Sequence, residues 1–128
     1  MKLLLDTCSF IWFLADSPEL SANARAAILD PANEVYLSAV SGWEIGRKSA
    51  RGDLELPARP EVIIPQVRVE SGILSLPVTE EEAIGAEKLP LLHRDPFDRM
   101  IMSQALVQGM LVVTPDPAFG AYPVRLLW

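Results

Sequence analysis

The sequence predicts an α/β fold, a three-layer α/β/α sandwich around a mostly parallel sheet of four to five strands. Three observations predict it. Short runs that are apolar throughout, as strands buried on both faces are, alternate along the chain with segments of helical periodicity. Ser, Thr, Asp, Gly and Pro stand at the boundaries, in helix-start and helix-stop positions. No repeat, low-complexity tract or linker interrupts the alternation, so the 128 residues read as one domain, 1–128, large enough for its own core. Strands alternating with helices connect by right-handed βαβ crossovers, which lay the strands side by side and parallel.

Lys2 to Leu5 is a short apolar run ending in Asp6 and reads as a buried strand. Ser9 to Ala15 is a short, very apolar helix. Ser21 caps a helix reaching Leu29, stopped by Asp30-Pro31. Glu34 to Leu37 is a second strand. Ser41 opens a helix through Lys48 or Ala50, with Gly52 suited to its C-terminal cap. After a proline-containing loop, Val62 to Glu70 forms a helix in which Pro65 sits in the first turn or breaks it in two. Gly72 ends it, and Ile73 to Leu76 is a third strand. Thr79 caps a helix running to about Lys88, and Glu80, Glu81 and Glu82 suit its positive dipole end. The strongest helix signal is Pro96 to Gln108, stopped by Gly109. Met110 to Val113 and Val124 to Leu127 complete the strands.

Composition narrows the function. Half the residues are apolar and 22% charged, as in an ordinary soluble globular protein. The single cysteine, Cys8, excludes an intramolecular disulfide framework. Asp6 interrupts the N-terminal apolar run too early for a signal peptide, and no segment approaches the roughly 20 apolar residues of a membrane helix. A soluble cytoplasmic protein is expected. The net charge of −6 argues weakly against a nucleic-acid partner. Two local basic groups, Arg47-Lys48-Arg51 and His93-Arg94-Arg99, offer a rim able to override it, and these six residues are the candidate nucleic-acid contacts.

Four acidic residues carry the functional reading: Asp6, Glu44, Asp98 and Asp116. Each has an ordinary structural role available. Asp6 follows a strand and precedes a helix, as an N-cap does. Ser41 to Glu44 fits a capping box, with Glu44 reaching back to the Ser41 backbone. Asp95 fits an N-cap with Pro96 at the first helical position, leaving Asp98 as the acidic residue of the first turn. Asp116-Pro117 is a further cap. A helix cap is satisfied anywhere on a protein, however, whereas these four gather on one edge. In a doubly wound sheet, strand C-termini and helix N-termini share an edge, and ligands bind along it. Carboxylates held together repel unless a cation neutralises them, and oxygen ligands select hard cations such as Mg²⁺ or Mn²⁺. Such a cation ionises a bound water and stabilises charge developing on a phosphate, which points to phosphodiester hydrolysis without a protein nucleophile.

The chain resembles the PIN-domain ribonucleases, specifically the VapC-type toxins of toxin–antitoxin modules. The matching segments are Leu-Leu-Leu-Asp-Thr at 3–7 with Trp12 following, and Leu-Ser-Ala-Val-Ser-Gly-Trp-Glu-Ile at 37–45. Then come His-Arg-Asp-Pro-Phe-Asp-Arg-Met at 93–100 with Ser103-Gln104-Ala105 after it, and Val-Thr-Pro-Asp-Pro-Ala-Phe at 113–119. Each is weak alone, but the ordered set spans nearly the whole chain and is specific. The resemblance implies Asp6, Glu44, Asp98 and Asp116 as the acidic site, with Asp6, Asp98 and Asp116 as metal ligands and Glu44 acting through water. It prefers Asp98 to Asp95, which stays as the orienting cap, and gives Thr7 and Thr114 supporting hydroxyls. It further implies an RNA substrate, a homodimer, and a cognate antitoxin (VapB-like, DNA-binding), with contacts in segments 9–15 and 60–74. Trp12, Phe13, Trp43 and Phe97 read as core or interface aromatics. Two positions depart from the family pattern: Cys8, where many relatives have histidine, and Pro115, where arginine is common. Neither removes a carboxylate.

Two other readings stand beside this one. A PIN-like scaffold with a decayed site, serving as a non-enzymatic interaction module, is opposed by the intact set of four carboxylates. Phosphotransfer through an Asp6 phosphoenzyme fails on visible residues. One form needs a second aspartate where Cys8 stands, and the other a lysine after a late strand, where none occurs. A Cys8 nucleophile in a phosphatase-type loop would need arginine where Leu14 stands.

Overall fold

A computed structural model describes residues 1–128. The elements are β1 (Lys2–Leu5), α1 (Thr7–Leu14), α2 (Ala22–Leu29), β2 (Glu34–Ser38), α3 (Ala39–Ala50), α4 (Pro60–Glu70), β3 (Leu74–Leu76), α5 (Glu80–Lys88), α6 (Pro96–Gln108), β4 (Leu111–Val113), a 3₁₀ turn (Pro117–Ala121) and β5 (Leu126–Leu127). The five strands form one sheet in the order β3-β2-β1-β4-β5, and every pairing is parallel. From β1 the chain winds first toward β3 and then, by way of α5 and α6, across to β4. β1 and β4 therefore flank the point where winding reverses, the place where such sheets open a crevice at their strand C-termini.

The period-two geometry of the strands sorts their side chains into two cores. Leu3, Leu5, Val35, Leu37 and Val113 face Phe10, Ala24, Ile28 and Ile45, which α1, α2 and α3 supply, with Ile64 and Val67 of α4 packed around them. Leu4 and Val112 face the opposite way, onto Ile101, Met102 and Ala105 of α6 and onto Phe119 and Tyr122. The three layers expected from the sequence are those of the structure. No helix is long and apolar enough to cross a membrane.

The elements depart from the sequence reading at several places, of which three helices are instructive. α1 begins at Thr7 rather than Ser9, because Asp6 accepts from the Ser9 amide and pulls Thr7 and Cys8 into the first turn. α3 begins at Ala39 rather than Ser41. Ser38 both ends β2 and caps α3 through the Val40 amide, so no loop separates them and Ser41 falls inside the helix, fully buried. Pro65 neither opens nor breaks its helix; α4 runs continuously from Pro60 to Glu70 around it. The amide hydrogen that Pro65 lacks would have served the Glu61 carbonyl, and both residues are exposed, so that carbonyl is not cut off from solvent.

Candidate metal centre

Asp6, Glu44, Asp95, Asp98 and Asp116 line one cleft of about 200 Å³ together with Thr7, Cys8, Ile11 and Lys48. Each side chain is held by the element that carries it. Asp6 ends β1 almost fully buried and caps α1, accepting from the Ser9 amide at 2.9 Å. Its other oxygen accepts from the Thr114 hydroxyl, whose oxygen in turn accepts from the Asp116 amide at 3.0 Å. Thr114 thus joins the C-terminal ends of β1 and β4 and sets two of the carboxylates against each other. Asp116 caps the 3₁₀ turn through the Ala118 amide. Thr7, also buried, donates to Ser41 at 3.0 Å and fixes α1 to the helix that carries Glu44.

Asp95 caps α6 by accepting from the amides of Phe97 and Asp98, which turns Asp98 into the cleft. Burial, reinforced by the neighbouring Asp95 and Glu44, pushes the Asp98 carboxyl up to about 6 even though the His93 contact pulls it down. His93 reaches Asp98 with Nε2 at 2.8 Å from Oδ2. Burial and the adjacent Asp6 push the Cys8 thiol well above its usual range, so it stays protonated and donates to the Asp6 carboxylate at 3.3–3.4 Å.

The capping box expected for Glu44 does not form, since Ser41 is not the cap. Glu44 is buried instead, with Oε2 on the Lys48 ammonium at 3.0 Å. Burial works against the Lys48 charge, but Glu44, with Asp95 and Asp98 nearby, outweighs it and holds the ammonium above its ordinary value. Glu44 Oε1 is buried with no partner. An orphaned carboxylate oxygen in a cleft with four other carboxylates is what a cation would satisfy. His93, Asp98 and Asp116 each offer a ligand atom, and these atoms all lie within 4.8 Å of one another. The donor set is mostly oxygen with one imidazole, suited to Mg²⁺ or, with the nitrogen, Mn²⁺.

The structure redistributes the basic candidates. Lys48 is in the cleft, while Arg47, Arg51 and Arg94 are exposed. Arg99 is not available to RNA. It is buried, and its guanidinium donates to the carbonyls of Ala86, Leu89, Pro90 and His93, holding the loop that carries His93. Adjacent helical residues point about 100° apart, so Asp98 toward the cleft sends Arg99 inward. The sequence reading left His93 among RNA contacts and missed it as a potential ligand, because a loop residue has no periodicity to aim it.

The PIN-domain family profile matches residues 3–124. The chain belongs to the PIN-domain family. Its fold is similar to that in VapBC2 from Rickettsia felis bound to a promoter DNA fragment, at 14% identity and TM-score 0.72, covering 99% of this chain and 98% of that one. It is likewise similar to VapBC-1 from nontypeable Haemophilus influenzae, at 19% identity and TM-score 0.70, with 99% and 97% covered. DNA-bound VapBC from Salmonella typhimurium matches at 20% identity and TM-score 0.72, again covering 99% and 97%. Among curated protein sequences, none matches the chain.

Proposed function

We propose that this chain is a divalent-metal-dependent endoribonuclease, a VapC-type toxin that hydrolyses RNA phosphodiester bonds and is restrained by a cognate DNA-binding antitoxin. The observation that carries the reading is the convergence of Asp6, Glu44, Asp98 and Asp116 on one cleft at the winding reversal of the sheet, with Glu44 Oε1 buried and unpaired. Asp6, Asp98 and Asp116 would hold Mg²⁺ or Mn²⁺, His93 stands ready as a fourth ligand, and Glu44 is placed to orient water. The bound cation supplies a polarised water and neutralises charge building on the phosphate. The chain's own groups do the rest. Thr114 and the Ser9 amide fix the Asp6 carboxylate, Asp95 aims Asp98, and Lys48 offers the cleft a positive charge for a phosphate oxygen.

The exposed apolar residues Val62 and Val69 on α4 suit a partner, an antitoxin or a second copy, and the structural likeness to VapBC complexes supports the antitoxin. Cleavage of single-stranded RNA is the direct test, comparing Mg²⁺, Mn²⁺ and EDTA with wild type, Asp6→Asn and Asp98→Asn. EDTA and each substitution should lower the rate at least about a hundredfold, as removal of a group acting on the transition state does. Full-rate cleavage by either variant overturns the mechanism. Metal binding by wild type without cleavage of any RNA supports the scaffold reading instead.

A further inference from the structure

Beside the cleft stands an aromatic pair, one ring of which neither core uses. Trp43 immediately precedes Glu44 on α3, and Phe97 immediately precedes Asp98 on α6. Their rings meet edge to face, with centroids 5.1 Å apart and planes at 72°. Phe97 is rooted in the apolar layer beneath α6, whereas Trp43 is 62% exposed and adds almost nothing to either core. The Arg47 guanidinium lies over the indole, its carbon 6.0 Å from the ring centroid, and Lys48 follows on the same helix. A solvent-facing indole, braced from one side and interleaved with cations, is the combination that holds unpaired nucleic-acid strands. There the cations track the phosphates, and each base offers a face to the ring.

We propose that Trp43, braced by Phe97, is a stacking platform for an unpaired base next to the phosphate that Lys48 and a cation in the cleft would hold. This rests on the nuclease reading and adds to it a base subsite, which accepts an unpaired base with little regard to its identity. Neither ring lines the cleft, but each directly precedes a residue that does, so a phosphate held there by Lys48 and by a cation on the carboxylates would have a neighbouring base within one nucleotide of the indole. In a duplex that base is already stacked and paired, so the platform discriminates against double strands. Phe97 is a positioning residue, acting through Trp43 rather than on RNA.

The test uses a fluorescein-labelled single-stranded RNA of mixed sequence, the same strand in a duplex, and a chain of equal length lacking its bases. Binding is measured in Ca²⁺ and cleavage in Mn²⁺, for wild type, Trp43→Ala and Trp43→Phe. Trp43→Ala should weaken single-strand binding about tenfold or more, with the loss in cleavage falling on KM rather than kcat. Trp43→Phe should restore most of it, the baseless chain should bind all three proteins alike, and the duplex should bind weakly to each. An unchanged KM in Trp43→Ala, or an equal loss on the baseless chain, overturns the platform and leaves the nuclease standing. So does a loss that tracks dissociation of a dimer in sedimentation, which would give the indole to a second copy of the chain. Wild type that binds single strands through Trp43 yet cleaves none sustains the platform and overturns the hydrolysis.

Discussion

At the scale of single residues, the site depends on groups that never reach a substrate. Arg99 is the clearest. Its guanidinium serves four backbone carbonyls around the turn between α5 and α6, and no carboxylate takes part. Arg99→Met strips those carbonyls of their donor in a buried setting and should cost about 3–5 kcal/mol by urea unfolding. Arg99→Lys should recover little, because a single ammonium cannot span the planar fork that four carbonyls require. If Arg99→Met unfolds with wild-type midpoint and slope, the anchoring role is wrong. Asp98 makes the second residue-scale prediction. Its carboxyl, raised from 3.8 to about 6, must lose a proton before it can ligate. Metal affinity should therefore fall roughly tenfold per pH unit below about 6 and flatten above it, as one linked proton requires. In the metal-free protein the sign is opposite. The folded state holds this proton more tightly than the unfolded chain, so the Asp98 contribution to stability is fully present below 3.8 and lost as pH rises through about 6. Titrating Mn²⁺ by calorimetry between pH 5 and 8, on wild type and Asp98→Asn, checks the first, and urea unfolding of the two metal-free proteins from pH 3 to 8 checks the second; an Asp98→Asn protein with the wild-type pH profile removes the assignment.

At the scale of elements, the sequence spelled out what depends on neighbours along the chain and concealed what depends on neighbours in space. Pro96 to Gln108, with Asp95 before it and Gly109 after, is α6 to the residue, because a cap, a first-turn proline and a left-handed stop are all local signals. Thr79 and Glu82 form the capping box that Ser41 and Glu44 do not. Both pairs have the same spacing. The difference is that Ser38, at the end of β2, captures the start of α3 first and frees Glu44 for the cleft. Glu82 hides a second role that no spacing reveals: fully buried, it accepts from Gln104 and Gln108 and fastens α5 to α6. Gly85 lies in the same seam, where an added Cβ would come 2.8 Å from the Ser103 hydroxyl oxygen. That hydroxyl is buried and donates to the Glu82 carbonyl at 2.6 Å, so it cannot yield cheaply. Gly85→Ala gains about 1 kcal/mol of helix propensity but should lose more to overpacking, a net destabilisation of about 1–2 kcal/mol. Gly46→Ala on α3 meets nothing within 4 Å and should stabilise by about 0.5–1 kcal/mol. Thermal unfolding of the two variants should show shifts of opposite sign; shifts of the same sign refute the close packing of α5 on α6.

At the scale of the whole molecule, the winding of the sheet concentrates charge. Reversal at β1 brings Asp6 and Asp116 together from opposite ends of the chain, and the helices starting on that edge add Glu44 and Asp98. The −6 net charge that argued weakly against a nucleic-acid partner is thus partly the site itself, five of the 17 acidic residues in one cleft with Lys48 as the cation lining it. Such an arrangement is destabilised by its own repulsion and should be stabilised strongly by the ion it attracts. Mn²⁺ at a hundredfold its dissociation constant should add about 2.7 kcal/mol to the unfolding free energy, which for a chain of this length raises Tm by about 10 °C. EDTA should reverse the rise completely, and K⁺ at equal ionic strength should not reproduce it. Asp116→Asn provides the control, because the amide oxygen still caps the 3₁₀ turn through Ala118 while the charge is gone. Without metal this variant should melt at or above wild type, since one repelling charge has been removed. With Mn²⁺ it should lose most of the rise. A variant that melts well below wild type without metal and rises as far with it would mean that Asp116 is a cap and nothing more.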